Sequence, residues 1–164
     1  MTDLALAWND QTFSADLLLS AGALATDDGL RTAIMISLFT DARAGEDAAL
    51  PEAGIDRRGW WGDQFAEGAG PDAGTASDRN RIGSLLWLLG RAKSTQANLM
   101  LVRQSAEAAL AWLVRDGVAA RVAVQVEAQT VEGGHRRLAI GVDLFRPTGP
   151  DRQRFDFTWE ASAS

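Results

Sequence analysis

The sequence of 164 residues contains no cysteine and no tyrosine, and it has a single histidine, His135, and a single lysine, Lys93. The absence of cysteine excludes thiol nucleophiles, thiolate metal sites and disulfide bonds. One histidine nearly excludes histidine-cluster metal sites and histidine proton relays. Because His135 adjoins a Gly-Gly turn, we expect a solvent-facing side chain rather than a member of a catalytic triad. We therefore expect no metal and no cofactor.

Long hydrophobic runs and a basic charge excess are also missing. The longest apolar runs, residues 34–39 and 85–89, fall far short of the roughly 20 residues that cross a bilayer. The first ten residues have neither the basic nor the apolar region of a secretory signal. The net charge of −6 argues against a general binder of polyanions. We expect a protein that has neither a membrane nor a nucleic acid as its partner.

Length and composition predict one domain over residues 1–164. Residues 1–40 form an N-terminal β element, in which short apolar runs are separated by turn residues. The apolar run 30–40 at its end is consistent with either a buried strand or a short buried helix. Residues 41–78 form a long loop that is rich in glycine and contains Pro51 and Pro71, and long loops in compact domains are often functional.

Residues 79–164 contain two predicted helices and a β meander. The first helix covers residues 80–89. The second covers 95–116, with Ser94 as its cap and Gly117 as its stop. Its apolar stripe has helical spacing and consists of Leu99, Val102, Ala106, Ala109, Leu110 and Leu113. Apolar residues alternate with polar ones in 122–128, 138–144 and 155–159, which predicts three antiparallel strands with one packed face.

The predicted fold class is therefore α+β. An antiparallel sheet of three to four strands packs against two helices, with the N-terminal β element and the long central loop attached. Neither a phosphate-binding loop nor a dinucleotide fingerprint is present.

Acidic residues are frequent in the long loop, and two carboxylates across a cleft are what glycoside hydrolysis requires. The candidates are Asp41, Glu46, Glu52, Asp56 and Asp63. Nothing in the sequence selects a pair among them. We interpret them as solvated groups or as ion-pair partners of Arg43, Arg57 and Arg58.

The most specific string in the chain is DRRGWWGD, residues 56–63. Trp60 and Trp61 cannot both face one side of a regular strand, and the glycines at 59 and 62 predict a special turn or a close approach of the backbone to another chain. One indole could fill the local core while the other projects towards a partner. Alternatively, both could seal the loop against its own domain.

Five segments together resemble the baseplate wedge protein family of Mu-like phages, which is similar to the small, lysozyme-like wedge protein of T-even phages. These segments are SLFTDARA (37–44), RRGWWGD (57–63), RIGSLLWLL (81–89), AEAALAWLVRDGVA (106–119) and FDFTW (155–159). The T-even relatives carry a Glu-Pro-Arg signature, and the nearest string here, Pro51-Glu52, does not match it.

The resemblance implies a non-enzymatic structural component of a contractile phage tail or prophage tail-like particle. It would be located in the virion tail baseplate and assembled in the cytoplasm of the host bacterium. Its implied partners are the large baseplate wedge protein, the tail sheath protein and other baseplate subunits, and it would seed the sheath by β-strand exchange. The residues that we expect to bind partners are Arg57, Arg58, Trp60, Trp61, Asp63 and Arg81.

Two alternatives from other functional classes stay open at the level of sequence. One is a muramidase-type peptidoglycan hydrolase that uses a pair of loop carboxylates. The other is a generic protein-binding adaptor. For the two arginines next to the tryptophan pair, Arg57 and Arg58, we expect bidentate pairing with a carboxylate of the loop or of a partner.

Overall fold

The computed structural model describes residues 3–27, 29–52, 54–65, 82–130, 136–148 and 152–159, and within them the fold is α+β, as predicted. Six short strands open the chain: β1 (Asp3–Leu4), β2 (Leu6–Asn9), β3 (Ser14–Leu17), β4 (Leu19–Ser20), β5 (Ala23–Leu24) and β6 (Thr26–Asp27). Three helices follow: α1 (Leu30–Phe39), α2 (Gln96–Ala109) and α3 (Ala111–Arg115). The meander is β7 (Arg121–Thr130), β8 (Arg136–Phe145) and β9 (Gln153–Trp159). In the described residues between α1 and α2, Trp61–Phe65 and Leu86–Leu89 form 3₁₀ helices.

The meander confirms the predicted alternation. Its strands pair antiparallel in the order β7-β8-β9, with β8 in the centre. Every second residue of β8 is buried from Leu138 to Leu144, and Phe155 and Phe157 of β9 lie on the same face. The pattern fades at the far end of β7, because Ala128, expected on the packed face, is exposed.

The outer face of the meander is held together by arginine. The buried Asp143 carboxylate accepts hydrogen bonds from Arg152 Nε at 2.8 Å and from Arg154 Nη1 at 3.4 Å. The guanidinium of Arg154 lies across Gly141, where a Cβ would collide with it. A hydrogen bond from Arg154 to the Asp156 carboxylate raises the pKa of the arginine. Ion pairs among these side chains therefore cover this part of the outer face.

The helices cover the inner face of the meander. The predicted second helix is present but breaks at Leu110, so that α2 and α3 each bury part of the stripe. Leu110 and Leu113 are both completely buried across this break. The N-cap of α2 is Thr95, whose side chain accepts a hydrogen bond from Asn98 N, and the predicted cap, Ser94, is wrong by one residue.

Residues 30–39 form a helix, which decides the choice that the sequence left open. Helix α1 is capped by Gly29 in the left-handed conformation and buries Ile34, Met35 and Leu38 in the common core. The indole of Trp112 in α3 donates to Ser37 Oγ at 3.0 Å, which ties α1 to α3. The N-terminal β segment therefore ends at β6 and not at residue 40.

The predicted helix over 80–89 is wrong in the part that the structure describes. Only the 3₁₀ turn Leu86–Leu89 is helical there. Gly83 has a φ of +107°, and Ser84 N donates to Thr40 O at 2.9 Å. Long-range backbone pairing thus replaces the local helical hydrogen bonds that the apolar spacing suggested.

Residues 3–27, called here the N-terminal arm, form three two-stranded ribbons: β1 with β6, β2 with β3, and β4 with β5. The ribbons meet where Ala5 N donates to Ala25 O, Ala25 N to Leu18 O, and Leu18 N to Ala5 O. Ala5 is buried at this three-way junction. The arm is therefore a branched β structure with little core of its own.

Contacts from three parts of the arm join it to the rest of the fold. Thr32 of α1 accepts from Leu6 N and donates to Leu4 O. Trp8 stacks on Phe39 with ring centroids 4.0 Å apart, and its Nε1 donates to Thr158 O of β9 at 3.0 Å. Thr158 N also donates to Asp10 Oδ1 at 3.2 Å, and the guanidinium of Arg137 lies over the Phe13 ring at 5.0 Å. The arm is therefore anchored through β1, β2 and the β2–β3 turn, and the β4–β5 ribbon extends from there.

Candidate functional site

The RRGWWGD string, residues 57–63, lies within residues 54–65, which we call the tryptophan loop. Its first anchor is Arg57. The carbonyl of Arg57 accepts from Ala44 N at 2.9 Å, and its guanidinium donates to the carbonyls of Gly45 and Glu46. This differs from the expected pairing with a carboxylate. Arg57 therefore joins two stretches of the loop, and its hydrogen-bonding groups face its own chain.

Arg58 is the second anchor, and it pairs with a carboxylate of residues 41–78 through one nitrogen and not in the expected bidentate way. Its Nη1 lies 2.7 Å from Asp41 Oδ2, and its guanidinium stacks over the ring of Trp87 at 4.6 Å. The backbone is left-handed here, with a φ of +51°. The Asp56 carboxylate accepts from Arg58 N at 2.8 Å, which favours this turn. Arg58 thus sets the direction in which the following tryptophans leave the loop.

Trp87 and Ser84 form the foundation under Arg58. Trp87 Nε1 donates to Ala42 O at 2.8 Å, and Ala42 N donates to Ser84 O at 2.9 Å. The buried Ser84 Oγ donates to the carbonyl of Leu38 at the end of α1. The loop is consequently attached to the core helix through a chain of hydrogen bonds.

Trp60 and Trp61 are both exposed, by 38% and 71% of their surface. Their ring centroids are 5.4 Å apart and tilted by 44°. The six-membered ring of Trp60 lies over Gly62, where any Cβ would overlap with it. Gly59 has a φ of +112°, which confirms the special turn that the bracketing glycines predicted. The indoles form one outward-facing aromatic pair, and neither is a core residue.

Asp63 closes the turn behind the pair. Its backbone N donates to Trp60 O at 3.0 Å, and its Oδ1 accepts from Ile82 N at 3.2 Å. Asp63 therefore links the loop to the segment that begins at residue 82. Arg81, which was also predicted to bind partners, lies outside the described residues. His135, predicted to face solvent, lies outside them as well.

Comparison with known proteins decides the family. The family model described as "Phage protein GP46" matches residues 30–151. The chain belongs to this family. The baseplate protein gp46 of Escherichia phage Mu is 39% identical to this GP46-family chain over 144 residues, 88% of each chain. The Mu-like prophage FluMu protein gp46 of Haemophilus influenzae is 39% identical over 160 residues, 97% of this chain and 98% of the relative. No solved structure matches it.

The family match begins at α1 and includes the tryptophan loop and its foundation. Sequence reasoning found the GP46 tryptophan pair but missed Ser84 and Trp87, which hold it. A weak signal was present, since Gly83 interrupts the apolar spacing of residues 82–89. Their partners lie more than 40 residues away, at 38–42, and no local pattern reveals such a pairing.

The loop carboxylates of this GP46-family chain are engaged separately. Asp41 pairs with Arg58, whereas Glu52 pairs with Arg91 at 2.8 Å. Asp56 and Asp63 accept hydrogen bonds from backbone N–H groups. Among the described residues, no group of three or more acidic or histidine side chains is placed to hold a metal ion. No helix in this described part is long and apolar enough to cross a membrane.

Proposed function

We propose that this chain is a structural subunit of the baseplate of a Mu-like phage or prophage tail-like particle, and that it acts by binding and not by catalysis. The names of its relatives support this role: one is a baseplate protein of phage Mu and the other belongs to a Mu-like prophage. Both are 39% identical to the chain over most of its length. The baseplate of the virion tail is then its place, after assembly in the host cytoplasm.

The observation that carries the proposal is the exposed tryptophan pair. Large aromatic side chains dominate the binding energy of protein interfaces, and an aromatic pair held outward by its own loop is typical of an anchor. Arg58 and its foundation hold the loop through an ion pair, a cation–π contact and backbone hydrogen bonds. Little conformational entropy is then lost when a partner covers the indoles.

The partners that we propose are the large baseplate wedge protein for the tryptophan loop and the tail sheath protein for the meander. In the described residues, β7 pairs only with β8 and its side chains from Glu127 to Thr130 are exposed. A long strand with a free edge accepts a strand from another chain. This supports the seeding of the sheath by strand addition.

The test of the anchor is co-expression of the tagged chain with the genes that flank it, followed by affinity capture and mass spectrometry. We expect the large wedge protein in the complex. The Trp60→Ala/Trp61→Ala double variant should fold, and the amount of large wedge protein captured with it should fall at least tenfold. The matched control is Ile55→Ala, which removes a fully exposed apolar side chain of the same loop. Equal recovery with both variants would contradict the role of the indoles.

The strand edge is tested separately with proline. Of two neighbouring residues in β7, one directs its N–H to β8 and the other directs it outward. Single prolines at Ala128 and Gln129 therefore separate folding from recruitment. We expect one of the two variants to fold normally and to lose the co-expressed sheath protein. Sheath capture by both folded variants would refute strand addition at β7.

A further inference from the structure

The β4–β5 ribbon and its flanks present a row of exposed leucines. Residues 17–24, called here the leucine hairpin, include Leu17, Leu18, Leu19 and Leu24, of which Leu19 is 67% exposed. Leu19 and Leu24 are cross-strand partners, and the left-handed Ala21-Gly22 turn closes the hairpin. The cross-strand pair Leu19 and Leu24 forms an exposed apolar patch, and such patches mark interaction sites.

The charged residues of the arm that carries the leucine hairpin are all acidic. The sequence from 3 to 27 contains four aspartates and no lysine or arginine. Asp16, next to the leucines, is exposed, and within the described residues its carboxylate accepts a hydrogen bond from Leu17 N. Two arms facing each other would bring like charges together, which disfavours a symmetric contact between arms. The complementary surface must be apolar with a basic rim.

Such a surface lies on the same molecule. A groove of about 510 Å³ runs between the residues around Ser84 and the outer side of α2 and α3. Small side chains line it, among them Ser105, Ala108 and Ala111, and this leaves room for branched side chains. Arg43 and Arg115 stand at its rim. We call this the alanine groove.

The rim arginines differ in their partners. Arg43 makes no ion pair among the described residues and only a long contact, 3.5 Å, to the carbonyl of Arg58. Arg115 pairs with the adjacent Asp116 at 2.8 Å, which raises the pKa of Arg115. Arg43 therefore offers a cation to an approaching carboxylate.

The leucine hairpin does not fill the groove of its own chain. None of residues 17–24 lines the groove, and Leu19 is 67% exposed. Both surfaces are therefore open to a second copy of the chain.

We propose that the leucine hairpin of one copy docks in the alanine groove of a second copy, with the acidic arm against the arginine rim. The contact is head to tail, since it joins two different surfaces. Repeated, it produces a ring if the rotation closes and a filament if it does not. The surfaces are small, so the contact is weak in solution and strengthened by assembly.

The test is the mass of the full chain in sedimentation from about 10 to about 300 μM, where contacts of this size associate. We expect concentration-dependent association, weakened at least tenfold by Leu19→Asp in the hairpin and by Ala108→Trp in the groove. Ile55→Asp is the matched control, because it adds the same charge at an exposed apolar site outside both surfaces. A monomeric wild-type chain throughout this range overturns the proposal.

Mixing distinguishes this contact from other kinds of association. The Leu19→Asp chain keeps a working groove, and the Ala108→Trp chain keeps a working hairpin. An equimolar mixture should therefore form a one-to-one dimer and nothing larger. A mixture that stays monomeric, or that forms larger species, refutes the head-to-tail geometry.

The absence of native cysteine permits a second readout. Ser20→Cys and Ala108→Cys, made in separate chains and mixed under mild oxidation, should give a disulfide-linked heterodimer. Ala97→Cys replaces Ala108→Cys in the control mixture, since it is also exposed on α2 but outside the groove. Equal cross-linking in both mixtures counts against docking in the groove. If the hairpin is captured by another baseplate protein while the copies stay apart, the proposal is wrong and the baseplate role is unaffected.

Discussion

The N-terminal arm and the C-terminal meander are both antiparallel β structure, yet they differ in strand length and in how much of each strand is buried. The meander has strands of 10, 10 and 7 residues, with one face in the core. The arm has strands of 2–4 residues, and its β3, β4 and β5 are exposed at every position. The meander therefore contributes to the core, and the arm leaves most of its apolar side chains exposed.

The difference shows what alternation in a sequence measures. Alternating apolar residues give a strand one dry face that must be covered. The leucines at 17–19 are consecutive, so they cannot all face one side of a strand. The arm keeps its shape through the backbone bonds of the Ala5 junction and through Trp8. The arm is therefore ordered mainly by backbone hydrogen bonds, with few buried side chains of its own.

The largest expected effect on stability comes from truncating an apolar side chain in the meander, compared with the same kind of truncation in the arm. Ile140 in β8 is completely buried, so Ile140→Ala should lower the free energy of unfolding by about 2–5 kcal/mol. Leu19→Ala in the leucine hairpin should change it by less than about 0.5 kcal/mol, because the side chain is exposed. Urea unfolding followed by tryptophan fluorescence measures both. Similar losses in the two variants would mean that the arm contributes to the core.

The second effect tests the foundation of the tryptophan loop. In Gly83→Ala, the new Cβ would collide with the carbonyl oxygen of Thr40, and the φ of +107° is unfavourable for alanine. We expect a loss of about 1–3 kcal/mol in the free energy of unfolding. Gly54→Ala has open space and is the control. If both variants match the wild type, the pairing of Ser84 with Thr40 and Ala42 does not determine the loop.

The parts of the fold that sequence predicted are those where local pattern and tertiary packing agree. The three meander strands follow directly from their alternation, and the stripe from Val102 to Leu113 gave the long helix. Residues 30–39 were ambiguous because a short run that is apolar on all sides fits a buried strand and a buried helix equally. The helix predicted at 80–89 failed because Gly83 and Ser84 bond to residues 40 and 42 instead of to their neighbours.

The candidate site was predictable only in its exposed half. Two adjacent tryptophans between glycines already indicated an unusual loop, and both indoles are exposed there. The carbonyl partners of Arg57 and the ring under Arg58 were not predictable. Those contacts depend on how the loop folds back on residues 41–46 and 87, and spacing along the chain does not encode that path.

A third, smaller effect concerns the attachment between the two regions. Trp8→Phe keeps an aromatic ring against Phe39 but removes the indole N–H that donates to Thr158 O. We expect a cost of about 1 kcal/mol, the usual net value of one hydrogen bond. Hydrogen exchange should show faster exchange at the amides of Ala5, Leu18 and Ala25, with β8 unchanged. Faster exchange in β8 as well would show that the arm and the meander unfold as one unit.

The smallest effect lies within the arm itself. Asn9 Oδ1 accepts from Gln11 N and Thr12 N in the β2–β3 turn, so Asn9→Ala removes two local hydrogen bonds at an exposed site. We expect less than about 0.5 kcal/mol in global unfolding, because water replaces both partners. The local effect should be larger: exchange at Phe13 N, which bonds to Asn9 O, should accelerate while the Ala5 junction stays protected. Protection lost at Phe13 alone means that the ribbons open independently. Protection lost at Ala5 too would make the arm one cooperative element, and its leucine hairpin would then be held in place by the turn on the neighbouring ribbon.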